Sequence, residues 1–455
     1  MKAPARQLAA AGLVIVVTAL GLAAQSVPKI EFTDTKLKNG LRVIISEDHS
    51  APVFTLAVTY NAGSRDERKG RTGFAHLFEH MMFKGSENVG ALEHPHLVFA
   101  AGGIMDATTN KDRTLYFATL PANQLDLGLF LESDRMRSLE ITRANFENQR
   151  AAVKEERLLR VDNQPYGRAF EVIEDLAYEN FAYEHSVIGS MQDLDAATVD
   201  DVASFFKTYY APNNAVLSIV GDVDTKVALE KVRKYFESIP AQPAPKPVDM
   251  TEPAQTEERR TSIDDPLARL PRVDMVYKIP PADAPDQDAL QVLATVLASG
   301  RSSRFYETIV RQKQLSSGTI AAFPDGAKGP GLFNISGTAA PGKSIADLEA
   351  AIDAEIERVK TDPIEDWEMQ KARASARSNL VNTMASSLGR AVALGDYAMF
   401  ENNPNKINTR ADAIAKVTAA DVQKAAQKYL VKTGRTVVVI VPKATAPSSA
   451  PSGVE

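Results

Sequence analysis

Apolar and small residues fill the chain from Leu8 to Ala24, with Leu13, Val14, Ile15, Val16 and Val17 at the centre, and no second apolar run of spanning length follows. Beyond it the pattern breaks into short segments. Leu37 to Ile45 predicts a β-hairpin turning on Asn39-Gly40, a dipeptide suited to the positive φ of a tight turn. Pro52 to Tyr60 predicts another strand, and helical patterns follow. In one of these, Phe146, Gln149, Val153 and Glu156 step by three, four and three along a single stripe, whose apolar members turn it toward a core. Glu155 falls about 100° away, on a charged face. Prolines at 240, 243, 245, 247 and 253 exclude regular structure from Pro240 to Thr261, so that stretch reads as a connection between domains. Ala444 to Glu455 reads as a disordered tail.

The segments on either side of the connection repeat each other. Asp201-Val202, Tyr209 and the strand 215–221 recur as Asp421-Val422, Tyr429 and 435–441, each 220 residues on (421 − 201 = 220; 429 − 209 = 220). Phe146-Glu147 and Gln149-Arg150 recur as Trp367-Glu368 and Gln370-Lys371 after 221 residues. Two runs of matches separated by one indel are the trace of an old duplication. Strand and helix patterns mix in each half without strict alternation. The expected fold class is therefore α+β: two homologous domains, each a mostly antiparallel β-sheet packed with helices. The expected division is a signal peptide at 1–24, an N-terminal domain at 28–240, a linker at 241–265, a C-terminal domain at 266–443 and the tail at 444–455.

Charge adds a location. Lys2 and Arg6 precede the apolar run, and Gly21 with Ala23, or Ala24 with Ser26, offer small residues for cleavage, so the run reads as an export signal. It is shorter than the roughly 20 residues that span a bilayer comfortably. The periplasm is the expected location, with an uncleaved inner-membrane tether as the alternative. Cleavage takes the net charge from −6 to −8 by removing two cations. That balance, with no run of Lys or Arg, argues against a nucleic-acid partner. With no cysteine in the chain, any metal is held by His, Asp or Glu.

Such a set stands in Gly73-Phe74-Ala75-His76-Leu77-Phe78-Glu79-His80-Met81-Met82-Phe83. On a helix, His76 and His80 project from one face within reach of a single ion. Glu79 lies beside them, placed to take a proton from an attacking water and return it. This is the H-x-x-E-H order. A third ligand is then needed, and Glu156 is the candidate, since a carboxylate on a core-facing stripe needs a partner. His49, His94 and His96 have no ligand spacing and are expected at the surface. In the second half the counterparts of His76, Glu79 and His80 are Gln291, Ala294 and Thr295, and that of Glu156 is Arg377 (156 + 221 = 377). The second half keeps the scaffold without the metal set.

On these residues the chain resembles the inverzincin family of pitrilysin, insulysin and the mitochondrial processing peptidases, most of all its short bacterial two-domain members. Val153-Lys154-Glu155-Glu156, Asn163-Gln164-Pro165-Tyr166-Gly167 and Tyr209-Tyr210-Ala211-Pro212-Asn213-Asn214-Ala215 extend the likeness from about Ile30 to Val441. The resemblance implies a zinc endopeptidase acting on peptides or unstructured segments. One Zn²⁺ per chain would be held by His76, His80 and Glu156, with Glu79 as base. It also implies that Gly102 to Thr109, with Asp106 and Ala107, is the strand that aligns the substrate, although relatives often have Asn at Asp106. His185 falls in a loop like one of the family's and is expected to be structural. Active relatives use an Arg and a Tyr six or seven residues apart on the substrate and the oxyanion. Arg311 fits the first, but Ser317 stands at the second, with Tyr306 as a possible substitute. The expected partners are a peptide substrate and a homologous subunit carrying the Arg/Tyr pair, or a second copy of this chain. A non-catalytic peptide-binding subunit and a non-peptidase zinc hydrolase are the rival readings.

Overall fold

The computed structural model describes residues 29–443, so the expected signal peptide and the whole of the tail segment lie outside the described residues. The first sheet holds β1 (Thr33–Lys36), β2 (Arg42–Glu47), β3 (Val53–Tyr60), β4 (Ile104–Thr109), β5 (Thr114–Pro121) and β6 (Ala215–Gly221) in the order β1-β2-β6-β3-β5-β4. The second holds β7 (Arg259–Asp265), β8 (Arg272–Ile279), β9 (Ala321–Asp325), β10 (Gly331–Thr338) and β11 (Arg435–Pro442) in the order β7-β11-β8-β10-β9. Without β1 the two orders are the same. In both, the outermost pair (β2·β6, β7·β11) is parallel and every other pair antiparallel. The α+β class and the duplication are both visible in this topology.

The helices around the first sheet include α1 (Phe74–Met81), α2 (Arg143–Arg157), α3 (Ala169–Ala177) and α4 (Val199–Tyr209). Around the second are α5 (Gln287–Ala298), α6 (Asp366–Met384), α7 (Ser387–Phe400), α8 (Lys406–Lys416) and α9 (Ala419–Tyr429). The repeated Asp201 and Asp421 have one cause. Each closes a capping box with the Thr three residues before it, Thr198 at the start of α4 and Thr418 at the start of α9.

Two helices cross over. α7 packs on β3 and β6 of the first sheet, where Ala391, Leu394 and Ala398 join Ile44, Ala57, Leu115, Val216 and Val220 in one core. In return α3 packs on β7, β8 and β11 of the second sheet, through Ala169, Ile173 and Ala177 against Val276, Val438 and Ile440. They are counterparts in the repeat: 169 + 221 = 390 and 177 + 221 = 398, inside α7. Covered on both faces, β3 and β6 have no solvent side, which explains why their sequence is mostly apolar and why even Thr55, Thr59 and Ser218 are buried.

The Asn39-Gly40 turn is present, between β1 and β2, although its first strand ends at Lys36 rather than running through Leu37. Gly40 has φ +91°, and Asn39 donates to the carbonyls of Phe236 and Ile239. The linker is shorter than expected. Arg259–Asp265, read as its last residues, forms β7. This strand has almost no apolar content because it pairs only with β11, at the sheet edge, and its sequence carries no strand signal of its own.

Candidate metal centre

Helix α1 begins at a crowded point. Gly73 takes φ +85°, and a Cβ there would lie 2.6 Å from the Ile188 carbonyl oxygen. The exposed N–H groups of its first turn are met by buried Glu67, which accepts from Gly73 N at 2.9 Å and Ala75 N at 2.7 Å. His185 Nε2 lies 2.9 Å from the same carboxylate, and its Nδ1 lies 2.8 Å from the Phe181 carbonyl. Burial pulls the His185 pKa down, but the Glu67 hydrogen bond and charge outweigh it and leave it raised. His185 thus has the structural role expected of it, holding the start of the helix that carries His76, Glu79 and His80.

His76 and His80 stand one turn apart with their rings edge to face, centroids 4.8 Å apart. Glu156, on α2, reaches them with Oε2 3.5 Å from His76 Nε2 and 3.2 Å from His80 Nε2. One ligand atom from each of the three residues lies within 4.8 Å of the others, and among the described residues this is the group of His, Asp and Glu able to hold a metal. Zinc bound tetrahedrally at about 2.0–2.2 Å has ligand atoms roughly 3.3 Å apart. The 3.2 and 3.5 Å separations are those edges. The electrostatics agree. Burial, helped by the charge of His80, pushes the His76 pKa down to about 4, keeping its ring neutral, and hydrogen bonding by His80 lowers that of Glu156. Neutral imidazole and ionised carboxylate are the ligand forms a metal takes. The second oxygen of Glu156 lies 3.0 Å from Arg160 Nη1 in an ion pair. Arg157 anchors the end of α2 to Glu171 and to the Gly189 carbonyl. Glu155 is exposed and outside the cluster.

Glu79 lies beside the three, with burial raising its pKa. Its Oε2 accepts from Thr109 Oγ at 2.5 Å, a contact absent from the sequence reading. The alternation of β4 was the available signal: Ala107 and Thr109 share a face, and that face meets α1. β4 is the edge strand of its sheet, as expected. Asp106 points the other way, exposed, its Oδ1 taken by Ala107 N at 2.8 Å. Arg311 is not brought to the cluster. It pairs with Glu307 on its own helical turn, and Ser317 Oγ donates to the Thr338 carbonyl at 3.3 Å. Gln291, Ala294 and Thr295 line a cleft of about 370 Å³ with Ser375 and Asn379 of α6. One surface expectation fails. His94 is 4% exposed, edge-on to the Phe83 ring and near Glu132, because its helix lies against the core beside the metal motif.

The architecture is a two-domain, metallopeptidase-like fold. Residues 42–190 match the family model described as insulinase (peptidase family M16), and residues 196–376 match the model of the peptidase M16 inactive domain. The chain belongs to peptidase family M16, in its short two-domain form. It is 30% identical to zinc protease PqqE of Helicobacter pylori over 442 residues, covering 96% of this chain and 98% of that protein. It is 27% identical to the probable mitochondrial-processing peptidase subunit beta of Arabidopsis thaliana, over 87% of this chain and 76% of that one. Among solved structures, a protease from Helicobacter pylori superposes with a TM-score of 0.87 at 29% identity, covering 91% of this chain and all of the other.

Proposed function

We propose that this chain is an exported zinc metalloendopeptidase that cleaves peptides or unstructured polypeptide segments. The observation that carries this reading is the convergence of His76, His80 and Glu156 at ligand-edge distances, with Glu79 beside them and the edge strand β4 alongside, paired with β5 on one side only among the described residues. The two histidines and Glu156 would hold one Zn²⁺, which when bound would supply Lewis-acid polarisation of the scissile carbonyl and a lowered water pKa. The peptide adds to β4 through backbone hydrogen bonds, with Ala107 on the face toward α1 and Asp106 at the outer face. Glu79, held by Thr109, takes the proton of the attacking water and delivers it to the leaving amine.

The N-terminal charged and apolar segment supports export to the periplasm, and among the described residues no helix is long and apolar enough to cross a membrane. Arg311 sits on the second half with Ser317 in place of a tyrosine, which supports an active form completed by a homologous subunit with an Arg/Tyr pair. A homodimer is the alternative. The match of residues 196–376 to an inactive domain favours one rival, a non-catalytic peptide-binding subunit. Purified protein assayed on an unstructured peptide, with and without chelator and with and without the candidate partner, separates these readings. Chelator-sensitive cleavage that the partner raises is expected. Peptide binding without cleavage under every condition would assign the rival role.

A further inference from the structure

The hairpin turn between β4 and β5 lies in the seam between the halves rather than out in solvent, where most turns end. Asn110 shapes it, its Oδ1 accepting from Asp112 N and Arg113 N at 2.8 Å each. The three residues that follow are all charged, and each leaves in a different direction. Lys111 pairs with Glu174 of α3 at 2.7 Å, and Arg113 with Asp396 of α7 at 2.8 Å. These are the two helices that the halves exchange. Asp112, 8% exposed, takes the loop 326–329 of the second half, its Oδ2 accepting from Lys328 N at 2.8 Å. Its Oδ1 accepts from Arg65 Nη1 at 2.7 Å and from Tyr183 Oη at 2.8 Å, and Tyr183 Oη in turn accepts from Gly329 N at 2.8 Å. A carboxylate so buried needs such donors, and here they come from both halves.

The same turn meets the metal centre from two sides. Thr109, the residue before it, pairs with Thr114 across the hairpin and holds Glu79. The turn's own carbonyls accept from the segment that leads to α1: Asn110 O from Ser64 N at 3.2 Å and Lys111 O from Arg65 N at 3.0 Å. The approach is close enough that a Cβ at Gly63 would lie 2.4 Å from the Lys111 carbonyl oxygen. Two residues past Arg65 comes Glu67, which caps the first turn of α1. Glu79 is thus placed by its helix and by its strand, and residues 110–113 are joined to both.

We infer that Asp112 is a positioning residue for the peptidase reaction: by bridging Arg65 to the Lys328 N–H it lets the second half fix the turn, and through the turn the place where Thr109 holds Glu79. This rests on the peptidase reading above. Lys111 and Arg113 reach the seam through long side chains with many rotamers, whereas Asp112 reaches a backbone N–H through a short one and transmits position most stiffly. The second half thereby acts on the reaction without placing any side chain at the metal cluster.

The test compares Asp112→Asn, Tyr183→Phe and Thr109→Val in the full chain, at matched zinc content, with an unstructured peptide as substrate. Asparagine keeps an oxygen for Arg65 and Tyr183 but turns its NH₂ toward the Lys328 N–H, so it breaks the link to the second half selectively. Asp112→Asn should keep its zinc, lower kcat by roughly threefold to tenfold and leave KM within about twofold, as for a group that orients a site from behind. Tyr183→Phe should act in the same direction by about threefold, the scale of one neutral hydrogen bond, and it decides the matter if Asp112→Asn does not fold. The double variant separates positioning from packing. If Asp112 acts through Thr109, Asp112→Asn adds almost nothing to Thr109→Val, whereas a merely structural role gives losses that multiply. Hydrogen exchange needs no activity: amides of 104–116 should exchange faster in Asp112→Asn, while those of β8 and β11 keep their rates. Unchanged kcat in both single variants, multiplying losses, loss of zinc, or unchanged exchange across 104–116 would each overturn the inference. An unaltered chain that holds zinc and cleaves nothing would instead overturn the peptidase reading, and exchange would then still decide whether Asp112 holds β4 in place.

Discussion

Helices α1 and α5 occupy equivalent places in two sheets of one topology, yet differ in what they present. α1 turns His76, Glu79 and His80 toward Glu156 of α2. α5 turns Gln291, Ala294 and Thr295 toward Ser375 and Asn379 of α6, across an open cleft. The pairing of helices survives the change because other contacts hold it. In the second half, Arg304 binds Glu368 of α6 through two 2.8 Å bonds in a buried ion pair. In the first, Arg157 of α2 binds Glu171 and the Gly189 carbonyl. The ligand cluster is therefore not what folds either half, and one copy could lose it while keeping its shape.

That contrast can be broken residue by residue. The largest effect is expected at the first half's cluster. His76→Ala and His80→Ala should abolish metal binding, read by elemental analysis, and peptidase activity with it. Glu79→Gln should keep the metal and lose activity by about 10² or more, the scale of a missing general base. Normal turnover at matched zinc content would remove Glu79 from that role. Next, Glu156→Gln should lose metal while Glu155→Gln retains it, and the reverse result would contradict the geometry of α2. Thr109→Val should lower kcat by about tenfold with little change in KM, in the range seen for groups that orient a site. Thr109→Ser should restore it, and failure of the serine to do so would make the contact one of packing alone. The smallest effect belongs to the second half. Gln291→Leu combined with Thr295→Val should leave zinc content unchanged and turnover within about twofold, as for substitutions away from any named mechanism.

Much of this contrast was legible in the chain. Spacing alone put His76 and His80 on one face, helix phase selected Glu156 over Glu155, and the 220-residue repeat carried the two sheets. What escaped shares one cause: contacts between segments distant in sequence. Thr109 reaches Glu79 across 30 residues, the polar strand β7 exists only by pairing with β11, and His94 is buried by rings its own sequence does not announce. The Asn39-Gly40 turn was found because its requirement is local.

The crossing of α3 and α7 has a consequence for the persistence of the inert copy. Residues 259–443 carry no His-His-Glu cluster, yet α7 is the roof over Ile44, Ala57, Leu115, Val216 and Val220. Deleting that half would strip the first sheet to the solvent on one side, and the reciprocal deletion would bare Val276, Val438 and Ile440. Each copy is the other's missing layer. Duplication followed by such an exchange works as a ratchet: once each sheet relies on a helix encoded in the other half, neither half can be discarded, whatever chemistry it has lost.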